Sequence, residues 1–202
     1  MALRSWSLFW VLTLATSAAI LLGLPQADFR SAEGMAPLVL RAEHYALPWF
    51  LVAFSASSLA VLWPGPSTRW LLANRRYFGL TFAAGMAWHF GFVGYVIWSF
   101  GNPLTLRSTV SDLIGAVFLL LLTVTSSQRA VRLLGAANWR RLHKTGVYVI
   151  WLLTTNIYYY NSGSDRFHQA VLVALIGAWL LRVAAWAKQR LRTYRAATVR
   201  AH

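Results

Sequence analysis

Histidine is the side chain best equipped for chemistry here, and the chain has five: His44, His89, His143, His168 and His202. There is no Cys, so disulfides and thiolate metal sites are excluded. Neutral imidazole can ligate a metal or carry a proton near physiological pH. His89 stands out because it lies deep inside an apolar run. An ionisable group in a membrane is costly and by default functional. Trp88, Gly85, Gly91 and Gly94 surround it. Small residues there let a partner helix or a flat cofactor approach closely. His89 reads equally as a ligand and as a histidine hydrogen-bonded to a neighbouring helix. His143, in Asn138-Trp139-Arg140-Arg141-Leu142-His143-Lys144, reads first as interfacial and second as a ligand. His44 and His168 open apolar segments and read as interfacial, with His168 also a substitute ligand. His202 belongs to the tail.

Six apolar segments must position these residues. A bilayer core needs about 20 apolar residues per helix. The pattern predicts helices at about 6–24, 45–63, 77–100, 110–126, 143–161 and 168–187, with a basic tail at 188–202. Leu104 and Leu106 would extend the short fourth segment. Pro25, Pro64 and Pro103 fall just after helix ends, and Pro48 falls in a first turn, where proline is tolerated. The first segment is longer than a signal-peptide core, so it is expected to be retained. No fixed repeat appears, nor the ten-residue alternation of an outer-membrane barrel.

Charge orients the segments. Nineteen Lys and Arg face five acids, and 58% of residues are apolar. In a soluble protein that balance points to nucleic acid. Here the bases fall in alternate gaps, so the partner is a lipid bilayer and no nucleic acid is expected. With the N-terminus inside, fifteen bases lie on or near the inner side: Arg4, Arg69, Arg75, Arg76, Arg129, Arg132, Arg140, Arg141, Lys144, Arg182, Lys188, Arg190, Arg192, Arg195 and Arg200. Four lie outside: Arg30, Arg41, Arg107 and Arg166. The expected fold is an all-α integral membrane six-helix bundle, one domain over 1–202, with both termini cytoplasmic. The expected location is a bacterial inner membrane. The eleven Trp, many near segment ends, fit interfacial anchoring.

Two pieces of the chain resemble a family. One is Asn74-Arg75-Arg76-Tyr77-Phe78-Gly79-Leu80 followed by His89. The other is Thr125-Ser126-Ser127 with Arg132-Leu133-Leu134-Gly135 and Trp139-Arg140-Arg141-Leu142-His143. Together they resemble the ferric reductase-like transmembrane domain family. The nearest branch is the haem-binding membrane subunit of the periplasmic methionine sulfoxide reductase system. The resemblance covers about residues 45–185. It implies b-type haem held by histidines of the third and fifth helices, and electron transport through a metal-binding oxidoreductase subunit. His89 would be the outer ligand and His143 the inner one. Arg75, Arg76, Arg140 and Arg141 would pair with haem propionates. Electrons would come from a cytoplasmic flavin partner or from quinol, and leave to an outer-side acceptor protein.

The sequence departs from that pattern at both sites. Asn156 stands where the outer partner histidine is expected, and no histidine lies near Arg75 or Arg76. His89 lies thirteen residues beyond Arg76, about 20 Å along a helix, while His143 is within a turn of the inner edge. The depth gap is roughly 15 Å, too large for one iron to share. A five-coordinate haem on His89, with Asn156 or Tyr158 distal, is one resolution. Tyr158-Tyr159-Tyr160-Asn161 reads as an interfacial belt, or else as an electron path or quinone pocket. A haem-free scaffold or partner subunit is the alternative function, and a small transporter the third. No flavin or nicotinamide domain is expected after the sixth segment, so the chain is at most a subunit of an enzyme.

Overall fold

The computed structural model of the chain describes residues 5–101 and 106–200. Arg4, Pro103, Leu104 and His202 lie outside them. Among these residues seven α-helices follow in order: α1 Ser5–Leu21, α2 Ala32–Leu62, α3 Pro66–Phe100, α4 Leu106–Val124, α5 Gln128–Leu134, α6 Ala136–Tyr160 and α7 Arg166–Arg200. A short 3-10 turn, Leu24–Gln26, follows α1, and no strand occurs among the described residues.

Four stretches are long and apolar enough to cross a membrane: Ser5–Gln26, Ala32–Leu62, Pro66–Phe100 and Arg166–Tyr194. Thr109–Val124 and Gln128–Leu134, which meet at 100°, make a fifth if counted together. The sequence pattern predicts six crossings. The missing one is α6, which opens on Arg140, Arg141 and Lys144 and ends on Thr154, Thr155, Asn156 and three tyrosines.

Several boundaries differ from the sequence expectation. Helix α2 starts at Ala32 rather than near 45, so His44 and Arg41 sit inside a helix. Pro37 and Pro48 are both helix-interior; Pro48 is not in a first turn. Each removes one backbone bond, which packed membrane helices tolerate through their neighbours. Helix α7 continues to Arg200 instead of ending near 187. Ala184, Ala185, Ala187, Gln189 and Leu191 are good helix formers and no Gly or Pro interrupts them.

The chain divides into two compact units, Met1–Phe50 with Arg76–Thr154, and Leu51–Arg75 with Thr155–His202. In the first, α1 and α3 run parallel. Trp6 meets the Tyr77 ring edge-on at 5.5 Å, and eleven residues further along both helices Trp88 Nε1 donates to Ser17 Oγ at 3.0 Å. Helix α2 runs antiparallel to both. Trp49 Nε1 donates to Thr16 Oγ1 at 2.8 Å, and Trp49 stacks on Phe78. Gly85 lets α2 and α3 approach: a Cβ there would stand 2.7 Å from Ala46 Cβ. Lipid is as apolar as leucine, so such close packing and side-chain bonds hold the helices, at about 0.6 kcal/mol per bond.

Helices α4 and α6 form an antiparallel hairpin with one register. His143 bonds Thr125, Gly146 faces Leu122, and Leu153 faces Gly115. Each step forward on α6 matches an equal step back on α4. The bend between them is built by α5. Ser127 caps α5 by accepting from Ala130 N at 3.1 Å, and Gly135 ends it at φ 75°, a conformation glycine adopts without strain.

Helix ends are capped by side chains from elsewhere in the same unit. Arg41 Nε donates to Ala19 O at 2.9 Å near the end of α1, and Trp139 Nε1 donates to Thr125 O at 2.8 Å just past α4. In the second unit Lys188 Nζ donates to Leu62 O at 2.8 Å at the end of α2. Orphan carbonyls at a helix C-terminus need such donors, and cations also suit the dipole there.

Candidate functional site around His89 and His143

His89, on α3, is buried at 6% exposure. Its Nδ1 lies 3.2 Å from the carbonyl oxygen of Val39 on α2. A carbonyl can only accept, so Nδ1 carries the proton. In the neutral ring Nε2 then keeps its lone pair, and it makes no hydrogen bond among the described residues. Phe90 flanks the ring edge-on at 5.2 Å. Asp112, half-buried on α4, lies within electrostatic reach of the imidazole. The antiparallel course of α2 and α3 puts the Val39 carbonyl opposite His89, four residues beyond the close contact at Gly85. Of the glycines near His89, Gly85 serves helix packing, whereas a Cβ at Gly91 or Gly94 would meet open space.

His143 has the opposite tautomer. Its Nε2 lies 3.0 Å from Thr125 Oγ1. The Thr125 hydroxyl gives its proton to Leu121 O, so it accepts from His143, and Nε2 is the protonated nitrogen. The Trp139 ring lies 4.2 Å from the imidazole, tilted by 30°. In this arrangement the nitrogen that most often ligates a metal is already a donor.

Helix α4 measures the separation of the two histidines. Asp112, near His89, and Thr125, on His143, are thirteen residues apart on α4, about 20 Å. The two imidazoles therefore lie at well-separated levels along α4.

The remaining candidates are spread out. Arg76 is half-buried in the first unit, its guanidinium 5.6 Å over Trp6 and 5.8 Å over Tyr77. Its Nε is buried without a hydrogen-bond partner among the described residues. Arg75 belongs to the second unit and is exposed; Arg140 and Arg141 are exposed on α6. Asn156, also exposed, and His168 both belong to the second unit. There the Asp165 carboxylate accepts from His168 N at 2.8 Å and from His168 Nδ1 at 2.9 Å, capping α7. The backbone N–H of His168, followed by its ring, holds the Asp165 carboxyl below its ordinary range. Tyr158 is fully buried with its ring 5.4 Å from His168. His44 is half-buried inside α2, away from any helix end. No group of three or more potential metal-ligating side chains occurs among the described residues.

Arg182 is a residue that reading the sequence treated only as part of the basic inner side. Its Nε and Nη2 both donate to Phe54 O, at 3.1 and 2.9 Å, and its guanidinium lies 3.9 Å over the Phe54 ring. The signal was the run Leu180-Leu181-Arg182-Val183-Ala184, a lone cation in apolar sequence.

No family model matches the chain, and no curated protein or solved structure matches it.

Proposed function

We propose that the chain is a multi-pass protein of a bacterial inner membrane that binds one b-type haem through His89 Nε2 and relays electrons to an outer-side acceptor. The observation that carries this reading is the tautomer of His89. A buried imidazole with Nδ1–H on a backbone carbonyl and its Nε2 lone pair available has the usual arrangement of a histidine ligand. Bound haem would supply a one-electron couple. The Val39 carbonyl would orient the ring and fix its tautomer, and Asp112 would set the local field. The same reading has six crossings with both termini cytoplasmic. In support, α6 keeps register with α4 from His143 to Leu153, which gives the less apolar helix the same depth as its partner. A separate flavoprotein or membrane quinol would supply the electrons.

A second reading, a haem-free scaffold or partner subunit, is favoured by one observation. His143 Nε2 is engaged by Thr125, which leaves the second family ligand unsuited to iron. Protein purified from a haem-sufficient host decides between them. The haem reading expects a Soret band that shifts on reduction, about one haem per chain by pyridine haemochrome, and loss of the band in His89→Ala but not in His143→Ala. No Soret absorbance in folded wild-type protein would select the scaffold.

A further inference from the structure

We propose that the exposed face of α6 is a binding site for one anionic phospholipid. A groove of about 510 Å³ runs along this face, lined by Arg141, Lys144, Thr145, Tyr148, Val149 and Leu152. These residues recur at three- and four-residue spacing, so they form one stripe on the helix. The opposite face, with His143, Gly146 and Leu153, is the one packed on α4.

The chemistry of the stripe changes in one direction. Two cations come first, then two hydroxyl-bearing side chains, then aliphatic ones. From Arg141 to Leu152 the helix rises about 16 Å. That order matches a phosphate headgroup, an ester-bearing backbone and the start of an acyl chain. Among the described residues neither cation has an acidic partner, since the one ion pair is His168 with Asp165. Leu152 is 60% exposed, so the apolar end is open to an acyl chain rather than closed by protein.

A second feature fixes the depth. Helix α5, turned 100° from α4, carries Arg129 and Arg132 together with Leu133 at 77% exposure. A short helix with both characters belongs at the headgroup boundary. It precedes α6 by one residue, Gly135, which places Arg141 and Lys144 within two to three turns of that boundary. A basic face at the inner edge of a bundle is where anionic headgroups bind. The inference rests on α6 lying in the membrane and is independent of haem.

The test is lipid retention by the full chain. The protein is equilibrated in detergent with equimolar dioleoyl phosphatidylglycerol and dioleoyl phosphatidylcholine, and retained lipid is counted by native mass spectrometry. Wild type is expected to hold one phosphatidylglycerol, about thirty-fold over phosphatidylcholine. Arg141→Gln with Lys144→Gln is expected to abolish the preference, and Leu152→Asn to weaken retention without altering charge. Arg190→Gln with Arg192→Gln, which removes two cations elsewhere, is expected to change nothing. Equal retention of both lipids, or equal loss in the α7 variant, would overturn the site. So would complete displacement by excess inorganic phosphate, which would mark a simple anion site. Circular dichroism confirms that each variant is folded, and the Leu152 variant carries the test should the double substitution misfold. Failure of this experiment leaves the Soret result untouched, and the reverse.

Discussion

The Thr125 hydroxyl accepts the Nε2 proton of His143 across the α4–α6 hairpin at 3.0 Å. The same threonine's carbonyl accepts the Trp139 indole N–H at 2.8 Å. One residue just past α4 therefore holds two aromatic rings of the first turns of α6. The pair locks the hairpin's register at its basic end, where the chain must reverse through α5.

Thr125→Val keeps the shape and removes the acceptor. It is expected to cost about 1 kcal/mol, with the ring losing its fixed Nε2–H tautomer in 15N spectra. His143→Ala should cost a similar amount or more. In a double-mutant cycle the two are expected to be non-additive. Additive losses would mean that the hydrogen bond contributes nothing.

Gly85 and Gly91 should respond in opposite ways. Gly85→Ala puts a Cβ 2.7 Å from Ala46 Cβ and 3.2 Å from its Cα, so backbone must move. A loss of about 1–3 kcal/mol is expected in detergent unfolding. A Cβ at Gly91 meets nothing within 4 Å, so Gly91→Ala should be neutral or stabilising by up to about 1 kcal/mol.

Arg182→Lys retains the charge but cannot aim two N–H donors of a planar fork at Phe54 O while covering the ring. We expect a loss of about 1–2 kcal/mol, read by thermal unfolding in detergent. If lysine is as good as arginine, the planar fork is not what matters there.

The α7 cap should fail in acid. Folding lowers the Asp165 carboxyl below its ordinary value, so the cap's contribution is complete above about pH 4, the unfolded value. It is lost as pH falls through the folded value, because protonation removes the acceptor for His168 N and Nδ1. Hydrogen exchange at His168 is expected to speed up below that range, and Asp165→Ala, which removes the acceptor, should show fast exchange with a flattened pH dependence. A wild-type amide indifferent to acid would refute the cap.

Most helices are legible because apolar length reports them, and their bounds are not where charged residues continue a helix beyond its apolar stretch. Glu33, Arg41 and Glu43, with Gly34 and Pro37 between them, mask the first turns of α2, although Met35, Ala36, Leu38, Leu40 and Ala42 favour a helix. Lys188 and Arg190 mask the last turns of α7 in the same way. The histidines are legible as candidates, and their separation along the helices follows from counting residues. Their tautomers are not, since each depends on a distant acceptor: Val39 lies fifty residues away, and Thr125 eighteen. Arg182 was passed over because positive charge near a membrane edge has a ready explanation in topology, which says nothing of a carbonyl partner 128 residues away.

The Arg182 contact has one more consequence. Its acceptor is the backbone carbonyl of Phe54, so the clasp ties one turn of α7 to one turn of α2. The second unit thus has a polar fastening set within the long apolar stretches of two helices. The Asp165–His168 cap in the same unit depends on a carboxylate instead, so acidification should fray the start of α7 while Arg182 still holds its later turns.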